Sequence, residues 1–124
     1  MTEKTIRASL WLACPFNLMA ALVFACPSSA VGQQLGLPDH VHPLYSLLVA
    51  LFVALFGFVY AWLARCHTID QPLLALGIIG KLGAFFIAGF LWVAGIVPGM
   101  LAFVALGDLA FAALWLSWLL SERG

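Results

Sequence analysis

The sequence predicts an all-α fold, a polytopic membrane four-helix bundle with both termini on the cytoplasmic side. Three observations lead there. Hydrophobic residues make up 65% of the 124 positions and charged residues only 8%, against roughly 25% charged in ordinary soluble domains. Four apolar stretches each offer about 20 residues, enough to cross a hydrocarbon core about 30 Å thick as a helix. Basic residues gather at one set of helix ends, which by the positive-inside rule face the cytoplasm.

The first predicted helix runs from about Ala8 to Cys26, preceded by Lys4 and Arg7. A charged start before an apolar run also has the form of a secretory signal. Phe24 and Pro27 fit a lipoprotein cleavage site at Cys26 poorly, so the segment is expected to be retained. An outer loop over 27–43 follows, rich in Ser, Gly, Gln and Pro. The second helix covers about 44–64 and ends at Arg65, the third covers about 73–97, and the fourth covers about 99–120, before Arg123. Lys4, Arg7, Arg65 and Arg123 then share one side, and the opposite loops hold no Lys or Arg. The chain reads as a single transmembrane domain in the cell inner (cytoplasmic) membrane, multi-pass, N-in/C-in. The later connections are short, so consecutive helices should pack as antiparallel neighbours. Trp11, Tyr60, Trp62, Trp115 and Trp118 read as aromatic anchors at the inner interface, and Tyr45 and Trp92 at the outer.

A faint internal similarity suggests a parallel 2+2 repeat. Asn17-Leu18-Met19-Ala20 resembles Lys81-Leu82-Gly83-Ala84, and the segment from Val53 to Ala61 resembles that from Val104 to Ala112. Two helices per unit would relate the halves by an axis along the membrane normal. Asn17 then aligns with Lys81, and Gly57 with Asp108.

Lys81 and Asp108 are the anomaly in this pattern. Each is unfavourable by about 2.5–3.5 kcal/mol at the centre of a lipid-facing helix. By helix rise they lie within about 6 Å of the same depth, so Lys81 is expected to face the bundle interior and pair with Asp108. Asn17, near mid-depth on the first helix, completes an intramembrane polar cluster. Small residues on the third helix (Gly77, Gly80, Ala84 and Ala88) and on the second (Ala50, Ala54, Gly57 and Ala61) are expected to let neighbouring helices approach closely. The cluster reads either as glue that holds helices in register or as the lining of a ligand or proton site. A third reading has Lys81 snorkelling inward and Asp108 protonated, without a pair.

Outside the membrane, Asp39, His40 and His42 offer imidazoles beside a carboxylate, a combination zinc or copper favours. A third or fourth ligand is missing on that side, apart from Cys26. The expectation is therefore no metal site, with Asp39 or His40 capping the second helix. Cys14, Cys26 and Cys66 form no CxxC and read as small hydrophobes. No histidine falls mid-membrane, which argues against a bis-His haem between the helices. GxSxG, HExxH, P-loop and dinucleotide fingerprints are absent, so catalysis is not expected and no cofactor is indicated. The five basic residues are scattered and the net charge is zero, which excludes a nucleic-acid partner.

Gly80-Lys81, Gly107-Asp108, Leu35-Gly36-Leu37-Pro38 and Phe56-Gly57 together give the chain a layout that resembles the DoxX-like group of small bacterial four-helix membrane proteins. The resemblance implies the four-helix architecture and, for some members, a link to quinone or sulfur redox systems as subunits beside another protein. No redox motif maps onto residues of this chain. The leading functional expectation is an accessory or interaction subunit of a larger membrane assembly, whose partners are the lipid bilayer and other membrane helices or a second copy. The alternative is a small oligomeric transporter or ligand-binding protein using Lys81 and Asp108, and the third is a quinone- or haem-linked redox accessory.

Overall fold

A computed structural model describes residues 2–123 as four long helices and one short one. They are α1 (Glu3–Ala25), α2 (Ala30–Gln34), α3 (Pro43–Arg65), α4 (Gln71–Val93) and α5 (Gly99–Arg123). No strand occurs among the described residues. All four long helices are long and apolar enough to cross a membrane. At about 1.5 Å per residue each reaches about 35 Å, slightly more than a bilayer core of about 30 Å. The protein is a multi-pass, all-α four-helix bundle.

Local chemistry sets the helix ends. α1 starts at Glu3, earlier than the expected Ala8, because the Thr2 hydroxyl accepts the Thr5 N–H at 3.3 Å. Glu3 also sits in the first turn, where the helix dipole favours a negative charge. α3 is capped by His42, not by Asp39 or His40: the Leu44 N–H donates to His42 Nδ1 at 3.1 Å, with Pro43 in the first turn. Asp70 caps α4 by accepting the Leu73 N–H at 3.0 Å. α4 ends at Val93 instead of Val97, since Gly95 turns into left-handed space at φ +79°. There the Ile96 N–H returns to the Leu91 carbonyl and the Gly95 N–H to that of Trp92, a Schellman close. Gly36, at φ +72°, ends α2 in the same way, with Leu37 donating to the Gly32 carbonyl and Gly36 to that of Gln33. The 27–43 loop, rich in Ser, Gly, Gln and Pro, thus carries a capped helical turn.

α1 packs along α3 and α4 along α5, giving two hairpins that lie face to face. Gly57 permits the first pairing. A Cβ there would come within 3.2 Å of the Cys14 carbonyl oxygen and 3.1 Å of the Asn17 Cβ. Between the hairpins the spacers are aromatic rings seated on glycines: Tyr60 on Gly77, Phe56 on Gly80 and Phe16 on Gly107. These rings keep the α3 and α4 backbones apart despite the tight turn between them. The consecutive helices α3 and α4 are therefore not the close neighbours the sequence suggests.

At one end of the bundle large side chains fill the space between the helices. The start of α1, the α3–α4 turn and the end of α5 meet there, around a core of Ile6, Leu10, Leu63, Leu74 and Trp115. The Trp115 indole N–H donates to Ser9 Oγ at 2.8 Å, and that hydroxyl donates to the Ile6 carbonyl at 2.6 Å. Arg7 donates to the carbonyl oxygens of Ala64, Cys66 and His67, groups that the end of a helix leaves without intrahelical partners. Tyr60 (1% exposed), Trp115 (0%) and Trp118 belong to this core and are not interfacial anchors, whereas Trp11, Tyr45, Trp62 and Trp92 do project outward.

Gly57→Val should destabilise the protein by about 1–3 kcal/mol, the usual range for overpacking against a backbone that cannot move aside. Gly83→Ala, where an added Cβ meets nothing within 4 Å, should leave stability unchanged or slightly raised. Unfolding midpoints of the two variants in detergent micelles check both expectations.

Candidate functional site

Lys81 projects from α4 into the space between the hairpins. Its Nζ donates to Asp108 Oδ1 on α5 at 2.7 Å and to Asn17 Oδ1 on α1 at 2.9 Å. Asn17 passes the link on, donating from Nδ2 to the Val53 carbonyl of α3 at 3.0 Å. This chain, Asp108–Lys81–Asn17–Val53, joins all four long helices in one hydrogen-bonded line. In a medium without water each bond is stronger than it would be in solution, and an unmade one costs more.

Aromatic faces complete the surroundings of the ammonium. Its Nζ lies 4.8 Å from the centroid of the Phe16 ring, 5.2 Å from Tyr60 and 5.3 Å from Phe111. Such cation–π contacts contribute about 0.5–2 kcal/mol each, the upper figure where the cation is desolvated. The rings also hold one another. Phe56 tilts against Tyr60 at 6.3 Å, Tyr60 against Trp115 at 5.0 Å, Trp115 against Phe111 at 5.5 Å, and Phe111 meets Phe16 edge-on at 5.7 Å.

The two charged partners differ in exposure. The Lys81 side chain is 3% exposed and that of Asp108 is 18%. Two cavities lie on the side of the polar chain toward α2, the smaller lined by Lys81, Asn17 and Asp108 and the larger by Asp108 without Lys81. One, of about 260 Å³, lies between α1, α3 and α4, walled by Phe52, Phe56, Gly80 and Ala84. The other, of about 550 Å³, lies between α1 and α5 under α2, walled by Met19, Val23, Gln34, Met100 and Val104. Phe16, Ala20, Phe24 and Asp108 line both. Asp108 is the one ionised-type side chain shared by the two spaces.

The structure thus brings Lys81, Asp108 and Asn17 together, with Gly57 directly behind Asn17. The aligned pairs of the 2+2 similarity occupy corresponding places, Asn17 beside Gly57 in one hairpin and Lys81 beside Asp108 in the other. The small-residue stripe on α4 behaves differently from expectation. Gly77 is buried beneath Tyr60, but Gly80 and Ala84 are exposed at the cavity wall because Phe52 and Phe56 hold α3 away. Asp39, His40 and His42 do not gather into one site. His40 is 97% exposed at its side chain, with Nε2 3.4 Å from Asp39 Oδ1, and Nδ1 of His42 is engaged in capping α3. Among the described residues no three His, Cys, Asp or Glu side chains gather in a metal-holding group.

Sequence reasoning did not find the aromatic enclosure. The available signal was the i,i+4 spacing of Phe56 with Tyr60 and of Phe111 with Trp115, set against Gly77, Gly80 and Gly107 as ring-sized gaps. Comparison with protein-family models, curated proteins and solved structures finds no match to this chain.

Breaking the pair from one side should be worse than removing it. Lys81→Met strands Asp108 and should cost about 3–5 kcal/mol, the range for one partner lost from a buried ion pair. The double variant Lys81→Met/Asp108→Leu should recover part of that loss. A double-mutant cycle of unfolding free energies in micelles measures the difference.

Proposed function

We propose that the protein is a small ligand-binding membrane protein of carrier or transporter type, with its site where the two cavities meet at Asp108. The unequal exposure of the ion pair carries this reading. A pair that only held helices in register would be closed around both partners. Here the Lys81 side chain, 3% exposed, borders only the smaller space, while the carboxylate lines both, the larger about 550 Å³, within the range of about 300–1,000 Å³ typical of small-molecule sites. An apolar cavity with one convergent polar group is the usual composition of such a site. Intramembrane ionisable residues that face a cavity commonly mark a substrate or ion path.

The interior between the hairpins is filled by the core toward the termini and open toward α2, an asymmetry of the kind alternating-access transporters pass through. Lys4, Arg7, Arg65 and Arg123 at the closed end support a cytoplasmic-membrane protein with both termini inside and cavities that open outward. Four helices enclose little volume, so an oligomer is the expected working unit.

The accessory-subunit reading retains one specific support. Gly80 and Ala84 are exposed on α4, and nothing lies within 4 Å of a Cβ placed at Gly83 or Gly89. Of these, Gly80 and Ala84 face the cavity beneath Phe52 and Phe56, whereas Gly83 and Gly89 leave open space suited to close approach by another membrane helix. The redox reading draws less support, because a quinone carbonyl and the exposed edge of Asp108 are both hydrogen-bond acceptors.

Gentle extraction of the tagged protein from its own membrane, followed by native mass spectrometry, separates these readings. The binding reading expects a reproducible small non-protein mass on the chain, lost in Ala20→Trp, which fills the shared wall of the cavities. A stoichiometric protein partner without such a mass would transfer the case to the subunit reading.

A further inference from the structure

The larger cavity also limits what chemistry can occupy it, granted the binding reading above. Lys81 has three N–H donors. Two are used by Asn17 and Asp108, and the faces of Phe16, Tyr60 and Phe111 surround the ammonium. At 3% exposure it offers nothing to an anion or a carbonyl in the cavity. Asp108 is the group that a ligand meets. Its Oδ1 is bound to Lys81, and among the described residues Oδ2 accepts no hydrogen bond. An ionised carboxylate only accepts, so the ligand has to donate.

Charge narrows the class further. Lys81 and Asp108 together are neutral, and a cationic head would bring an uncompensated charge into an apolar site at a large desolvation cost. An anionic head would meet a carboxylate oxygen. Apart from Gln34 on α2, the walls beyond Asp108 are apolar, with the adaptable side chains of Met19 and Met100 among them. From Met100 to Asp108 the wall of α5 extends about 12 Å, room for an elongated body.

We infer that the cavity between α1, α2 and α5 binds an uncharged amphiphile, a membrane-dissolved alcohol whose hydroxyl donates to Oδ2 of Asp108 and whose chain lies along Met19, Met100 and Val104. Head-first insertion sets this ligand apart from an ordinary bilayer lipid, whose tail end would reach Asp108.

The test is photolabelling of the full chain in lipid nanodiscs with a diazirine-bearing n-decanol, competed by n-decanol, n-decylamine, decanoate or decane. Label is expected on Met19, Met100 or Val104, with n-decanol displacing it at least about tenfold better than the other three, the worth of one hydrogen bond to a charged acceptor. Val104→Trp, one helical turn from Asp108 and outside the hydrogen-bonded chain, should abolish that labelling while leaving the thermal unfolding midpoint in place. Preferred displacement by n-decylamine, decanoate or decane would overturn the alcohol and leave the binding site standing. Label spread evenly over the lipid-facing surface, with no competition by any of the four, would overturn both.

Discussion

The ammonium of Lys81 has to be satisfied without water, and the groups that satisfy it come from three other parts of the chain. Asp108 neutralises it, Asn17 accepts from it, and the rings of Phe16, Tyr60 and Phe111 supply the remaining faces. Left facing lipid, the lysine alone would be unfavourable by about 2.5–3.5 kcal/mol. That penalty rules out arrangements in which the hairpins separate or slip, because no slipped register keeps donor, acceptors and rings within reach. The order of the four helices follows from this one requirement. Asn17 extends it to α3 through the Val53 carbonyl, so a polar chain one residue deep per helix spans the bundle.

The manner of packing differs within and between hairpins. α1 meets α3 backbone to backbone at Gly57, whereas α3 meets α4 through whole rings on Gly77 and Gly80. Rings fill the space only where they exist. Toward the termini, Tyr60, Trp115 and Trp118 together with Ile6, Leu10, Leu63 and Leu74 close the interior. Toward α2 the side chains of Phe24, Phe52 and Met100 wall the interior without filling it, and the cavities remain. The polar chain lies at the boundary between these two regimes, with Lys81 bordering the smaller cavity and Asp108 bordering both. Open space beside a held carboxylate is thus a consequence of where the aromatic residues fall along α3 and α5.

Much of this architecture can be read from the residue pattern. Four apolar runs and the sparse charge predict the bundle, and the insertion cost of Lys81 and Asp108 makes their pairing a strong physical expectation. Asn17 is legible for the same reason, as a polar residue at similar depth. The cavities are not. Whether Gly80 and Ala84 lie beneath a helix or beside a space depends on how far Phe52 and Phe56 hold α3 away, a three-dimensional matter without periodic trace. Tyr60 and Trp115 look like interfacial anchors because their positions along the chain fit that role equally well. The actual assignment depends on which face of the helix they occupy, and a helix apolar on every side gives no such signal. Helix ends shift for local reasons: a hydroxyl at Thr2, an imidazole at His42 and a left-handed glycine at Gly95.

Lys81 and Asp108 make a direct, charge-bearing contact between α4 and α5, and solid-state NMR can observe it. Protein labelled with nitrogen-15 at lysine and carbon-13 at aspartate and asparagine, reconstituted in lipid, should show dipolar transfer from the Lys81 ammonium to the Asp108 carboxylate carbon and to the Asn17 side-chain carbonyl, with slow exchange of the ammonium protons. A Lys81 nitrogen that exchanges rapidly with water and transfers to neither carbon would mean that the lysine snorkels to the surface, and the polar chain joining the four helices would not exist.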